Sequence, residues 1–182
     1  MASRSKTATS TREPKKITFE RTYRAPLEDV WDLWTTKEGI ESWWGREGFV
    51  TKVHKLGLRA GGDLEYSFTA TAPEQIEALK GMGVPLTQVL RGTYKEVSPR
   101  RRLVYTNLAD FIPGVEPYEM TVVVEFYVVP HGVRMIVTQD AMHDAQWTKL
   151  AAMGWESGLE NLAKLLEQRY PARSTKRKGA RK

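Results

Sequence analysis

Cysteine is absent, so disulfides, thiolate nucleophiles and thiolate–metal sites are excluded together. A cysteine-free chain fits a reducing cytoplasm. Histidine is scarce as well, with only His54, His131 and His143. No HxxxH or HExxH spacing and no carboxylate cluster points to a metal, and no motif calls for a cofactor. No run approaches the roughly 18 apolar residues of a membrane span. Met1 to Thr7 also lack the apolar stretch of a secretory signal. The expectation is a soluble, cytoplasmic protein.

What is there is a core-forming chain with basic ends. Hydrophobic residues make up 41% of the 182, enough for a real core and too many for global disorder. The length fits one domain with tails. The net charge of +6 is unevenly placed: residues 1–16 carry +4 and residues 172–182 another +6, which leaves 17–171 at −4. Basic tails touch polyanions non-specifically, through counterion release. Without a nucleic-acid-binding motif, no specific nucleic-acid partner is expected. The chain thus divides into a disordered basic tail over 1–15, a folded domain over 16–170 and a second disordered basic tail over 171–182.

Lys16–Tyr23 alternates apolar with polar residues, the period-2 signature of a half-buried strand. After Ala25-Pro26, the residues Val30, Trp31 and Trp34 recur at helical spacing, and Glu28 and Asp29 suit the positive helix end. A second short helix is predicted over Lys37–Trp44, ending at Gly45. Strands follow over Phe49–Leu58, Leu64–Thr69, Val89–Val97, Arg102–Asn107, Tyr118–Val129 and Gly132–Ala141, with a short helix over Glu74–Lys80 after the second of them. A long helix over Asp144–Arg169 carries Trp147, Leu150, Ala151, Gly154, Gly158, Leu162 and Leu165 on one face, and Pro171 stops it. Strands in a run with segregated helices argue an α+β fold with an antiparallel sheet. Where a curved sheet stands off from a long helix, a cavity can open between them.

Several residues add to that order: Tyr23-x-Ala25-Pro26 before Val30-Trp31, then Trp34-Thr35, Trp43-Trp44 and Gly61-Gly62-Asp63. Gly92-x-Tyr94-x-Glu96-x-x-Pro99 follows with Arg102-Leu103-Val104, and Gly154-Trp155 with Leu159 and Leu162 closes the set. From about Lys16 to Gln168 the chain resembles the SRPBCC (START/Bet v 1-like) superfamily, in the branch similar to the C-terminal domain of the Hsp90-ATPase activator. The resemblance implies a helix-grip fold. A curved antiparallel sheet of about seven strands would wrap around the C-terminal helix, with two short helices after strand 1 and an internal cavity. Members include lipid and polyketide handlers, ring cyclases and hormone receptors, so kinship of fold does not license a reaction. Pro73–Thr87 is longer than the plain hairpin usual at that point, and is a candidate to fold over a cavity mouth.

Candidate cavity residues follow from position and type. Trp43 and Trp44 are adjacent, and successive helix side chains point about 100° apart; one ring is expected to pack inward and the other to line or cap the entrance. Tyr66, Phe68, Tyr94 and Tyr105 fall at inward strand positions, and a tyrosine offers an apolar body with a hydroxyl that orients a ligand. Phe111 and Tyr118 belong to an unusually apolar loop that folds over the mouth or forms a homodimer contact. Gly154, with Ala151 and Gly158, serves close approach to the sheet or leaves volume for a ligand. For each group the plain alternative is core packing. Asp140, His143 and Asp144 gather before the last helix, either as an acid–base group or as a helix cap.

Three functions are in view. The first is binding of a small apolar or amphipathic molecule, lipid- or polyketide-like, in that cavity. The second is a cyclase- or hydrolase-type enzyme, which requires an ionisable group from Asp140, His143, Glu65 or Asp110 aimed into the cavity. The third, suggested by the resemblance alone and ranked last, is a module that engages an Hsp90-type chaperone.

Overall fold

The computed structural model describes residues 15–171 apart from 82, 84 and 113. Apart from Lys15 and Pro171, the basic tails expected over 1–15 and 171–182 lie outside the described residues. Alternation along the chain becomes the two faces of one sheet. β1 (Lys16–Tyr23) leads into α1 (Leu27–Thr35) and α2 (Lys37–Trp43), as the sequence predicts. Pro26 is the residue before α1, in extended conformation, and its carbonyl accepts from Val30 N–H at 3.2 Å. Thr36 caps α2 by accepting from Gly39 N–H at 3.0 Å. Gly39 is required there, because a Cβ would lie 2.3 Å from the Asp32 carbonyl oxygen.

β2 (Phe49–Leu56), β3 (Asp63–Ala70), β4 (Thr87–Ser98), β5 (Arg102–Ala109), β6 (Tyr118–Val129) and β7 (Gly132–Asp140) complete a seven-stranded sheet. α3 (Pro73–Gly81) interrupts the run, and α4 (Ala145–Arg169) ends it. The strand order is β1-β7-β6-β5-β4-β3-β2, with every pair antiparallel. Register shifts between Val53 and Lys55 and between Tyr94 and Glu96 add local twist and curl, as bulges do. The fold is the expected α+β helix-grip: a curled antiparallel sheet gripping α4, with two short helices after β1.

α4 starts at Asp144, whose carboxylate accepts from Trp147 N–H at 2.8 Å. Its buried stripe is Trp155, Gly158, Leu159, Leu162 and Leu166. This differs from the predicted face, since Leu150 is 42% exposed and Trp147 and Leu165 are half-buried. α4 packs against α2 and β1, and its first turns meet a separate cluster through Trp147 and Ala151. Val122, Val124, Met135 and Val137 on the sheet face this stripe, all fully enclosed. Burying each such side chain contributes roughly 1.5–3 kcal/mol. Among the described residues, no helix is long and apolar enough to cross a membrane.

Candidate functional site

Inward positions on β3, β4 and β5 meet in register. Tyr66 lies opposite Leu90, Gly92 opposite Asn107, and Tyr94 opposite Tyr105. A Cβ on Gly92 would lie 2.1 Å from the Thr106 carbonyl and 2.9 Å from Asn107 Oδ1, so only glycine fits beside Asn107. Tyr66, Tyr94, Tyr105 and Asn107 are all buried. Above them sits a cluster of indoles brought in by α1, α2 and α4.

Trp44 occupies its centre. Its ring centroid lies 5.1 Å from Tyr66, 5.4 Å from Trp43, 5.6 Å from Trp34, 5.7 Å from Trp155 and 6.3 Å from Tyr105. Trp43 also points inward and is fully buried. Of the two adjacent rings, Trp43 is the enclosed one and Trp44 is half-buried. Trp44 is the C-cap of α2: its N–H still donates to the Ile40 carbonyl at 3.1 Å, and its ψ of 124° turns the chain out of the helix at Gly45. The two indoles lie side by side, 22° from parallel. Phe68, half-buried, packs edge-on against Tyr66 at 5.4 Å.

Polar atoms inside this cluster are unevenly satisfied. Trp43 Nε1–H donates to the Leu33 carbonyl at 2.8 Å, and Trp155 Nε1–H donates to Gln139 Oε1 at 2.6 Å. Trp34 Nε1–H, the Tyr105 hydroxyl and Asn107 Oδ1 are buried and find no partner among the described residues. Burial pushes the hydroxyls of Tyr66, Tyr94 and Tyr105 well above the ordinary tyrosine range; the nearby Asn107 side chain offsets only part of that push at Tyr66. All three remain neutral donors at physiological pH.

The other candidates lie elsewhere. Phe111 and Tyr118 join a satellite cluster of Ala109, Ile112, Met120 and Met142 beside the start of α4. Phe111 faces Trp147 at 5.9 Å, and the Tyr118 hydroxyl accepts from His143 N–H at 3.0 Å. A Cβ on Gly154 would meet nothing within 4 Å; close approach to the sheet is therefore not its role, whereas Gly158 does touch Trp43 and Gly45.

The ionisable candidates are engaged away from the indoles. Arg91 pairs with both Glu65 and Asp110. Asp140 accepts from Thr121 N–H at 2.9 Å, and His143 Nε2 lies 3.1 Å from Asp144. No acidic or basic side chain is buried among the described residues, nor do three or more His, Asp or Glu gather there as a metal would require.

The comparisons with known proteins decide the family. The family model described as "Activator of Hsp90 ATPase homolog 1-like protein" matches residues 24–167. The chain belongs to this family. No curated protein matches it significantly. A Chromobacterium violaceum protein of known structure is 27% identical, with a TM-score of 0.69 over 84% of this chain and 96% of its own. An AHSA1-like protein from Aeromonas hydrophila is 22% identical, with a TM-score of 0.65 over 85% of this chain and 94% of its own. A Mycobacterium smegmatis protein at 18% identity gives a TM-score of 0.65 over 85% and 92%. At those lower identities the likeness concerns the fold.

Within this AHSA1-like domain, two polar participants escaped sequence reasoning. Trp34 reads as core by its helical spacing, which says nothing of where its N–H ends. Gln139 continues the inward series Val133, Met135, Val137, and an amide on an otherwise apolar face was the available signal.

Proposed function

We propose that this domain binds a small, largely apolar molecule between the sheet and α4, over Trp44, Tyr66, Phe68, Tyr94 and Tyr105. The observation that carries the reading is the set of buried, unpartnered polar atoms on Trp34, Tyr105 and Asn107. Buried polar groups are normally paired, and each one left unmade costs about 1–3 kcal/mol. A group of them inside an aromatic cluster is what a ligand site built for orientation would hold. Phe111 and Tyr118 would border the site from the satellite cluster.

Binding is favoured over catalysis because, among the described residues, no acid or base is buried near the indoles. General acid–base chemistry needs such a group within reach of the substrate. A chaperone-engaging role would rest on the family's description alone, and a shared fold does not carry a function.

Native mass spectrometry of the purified protein, followed by identification of released compounds, tests the reading. The expected outcome is a reproducible apolar molecule whose occupancy drops in Tyr105→Phe and Asn107→Leu variants that fold normally. A compound retained equally by both variants would place it elsewhere on the protein and sink the reading.

A further inference from the structure

The interior that would receive a ligand is filled by the protein's own indole. Trp44 lies within 5.1–6.3 Å of the rings of Trp34, Trp43, Tyr66, Tyr105 and Trp155, yet it is itself only half-buried. Trp43 and Trp155 are each fixed by an indole hydrogen bond; Trp44 makes none among the described residues. Its backbone, by contrast, is held. Trp44 N–H donates to the Ile40 carbonyl at 3.1 Å, its carbonyl accepts from the Thr51 hydroxyl, and the next carbonyl, of Gly45, accepts from Asn161 Nδ2 at 3.0 Å. Any departure of the ring would thus be a rotation of its own side chain and not a movement of the chain.

What lies around that ring defines what would replace it. The walls are aromatic faces, which suit a flat ring system. The unpartnered atoms comprise a donor on Trp34, an acceptor on Asn107 and a hydroxyl on Tyr105 that serves as either. Among the described residues, no buried charge stands ready to neutralise an ionic ligand, and burying an unpaired charge is strongly unfavourable. Outside, α3 abuts the same loop: Thr71 and Ala72 N–H donate to the Gly48 carbonyl at 2.8 and 3.1 Å. α3 has no buried residue, so it can shift without opening the core.

We infer that Trp44 is a placeholder for the ligand, and that the ligand is an uncharged, planar aromatic molecule bearing a hydroxyl or carbonyl group. Its ring replaces the indole of Trp44, and its oxygen meets Tyr105, Asn107 and Trp34. This rests on the reading of the grip as a binding site.

The test uses 2-naphthol as probe, with naphthalene and 2-naphthoate as controls, titrated into the full chain by calorimetry and naphthol fluorescence. If the open state is a minor population, removing the placeholder tightens binding by about tenfold or more. Trp44→Ala is expected to bind 2-naphthol tighter by that factor. Tyr105→Phe is expected to weaken 2-naphthol about fivefold and to leave naphthalene unchanged, while 2-naphthoate is rejected. Should Trp44→Ala fold poorly, 19F NMR of the 5-fluorotryptophan-labelled wild type replaces it, with the Trp44 signal assigned from Trp44→Phe. That signal is expected to move to a solvent-exposed position as 2-naphthol is added.

Naphthol affinity unchanged by Trp44→Ala but lowered by Tyr105→Phe, or a Trp44 signal that stays put, would overturn the placeholder and leave the site standing. Equal binding of naphthoate and naphthol would overturn the requirement for an uncharged ligand. No naphthol binding to either protein, with a non-aromatic compound released from the purified domain, would overturn the aromatic class alone. Naphthol binding indifferent to both substitutions would remove the inference and the site together.

Discussion

The hydrogen bond from Trp155 Nε1 to Gln139 Oε1, 2.6 Å long and buried, ties α4 to β7 at the centre of the grip. Replacing Gln139 by Leu keeps the apolar volume but leaves an indole N–H with no acceptor. A loss of about 1–3 kcal/mol is expected in urea unfolding; a loss below a few tenths would mean that water reaches the indole and the bond is not structural. The same scale shows what residue patterns reveal. Tyr66, Tyr94 and Tyr105 were legible as inward residues, because a strand allows two directions and their neighbours fix the choice. For Trp43 and Trp44, adjacency showed that one ring is more enclosed than the other but not which, and the structure encloses Trp43 and leaves Trp44 half-buried.

At the scale of an element, α4 offers a sharper case. Its extent was readable from Asp144 at one end and Pro171 at the other, and the capping bond from Trp147 N–H confirms the start. The buried face was read one step off around the helix, since Leu150 and Leu165 are as apolar as Leu159 and Leu166 and only the elements packed against α4 distinguish them. Gly154 lies on the less covered side, with space around it. Gly154→Ala is therefore expected to stabilise the domain by about 0.5–1 kcal/mol, the usual gain in helix propensity, measured as a higher denaturant midpoint. Destabilisation would show that a neighbour occupies that space in solution. α3 was legible as a short helix but not in its placement, because it buries nothing and so leaves no apolar stripe to orient it.

For the whole molecule, the buried tyrosines set a limit in alkali. Burial raises the hydroxyls of Tyr23, Tyr66, Tyr94 and Tyr105 above their ordinary value, while in the unfolded chain they titrate near pH 10. Below that pH both states keep these protons and stability is unaffected. Above it the unfolded state loses protons that the native state retains, so stability falls as pH rises, by about 1.4 kcal/mol per pH unit for each tyrosine. Denaturant midpoints should be flat to about pH 9.5 and drop steeply beyond it, with tyrosinate absorbance appearing together with unfolding. Tyrosinate forming near pH 10 in a protein that stays folded would contradict this.

The strand order also governs how the chain is assembled in time. β1 is made before the other strands, but its sole partner among the described residues is β7. Trp34 and Trp44 likewise await Trp155, Trp43 awaits Gly158 and Trp31 awaits Phe126, each some ninety residues or more further on. At about 5–20 residues per second, the nascent chain displays four unsheltered indoles for roughly 5–25 s before these partners can close over them. For that interval the segment before β2 is the natural client of whatever holds apolar chains in solution at the ribosome.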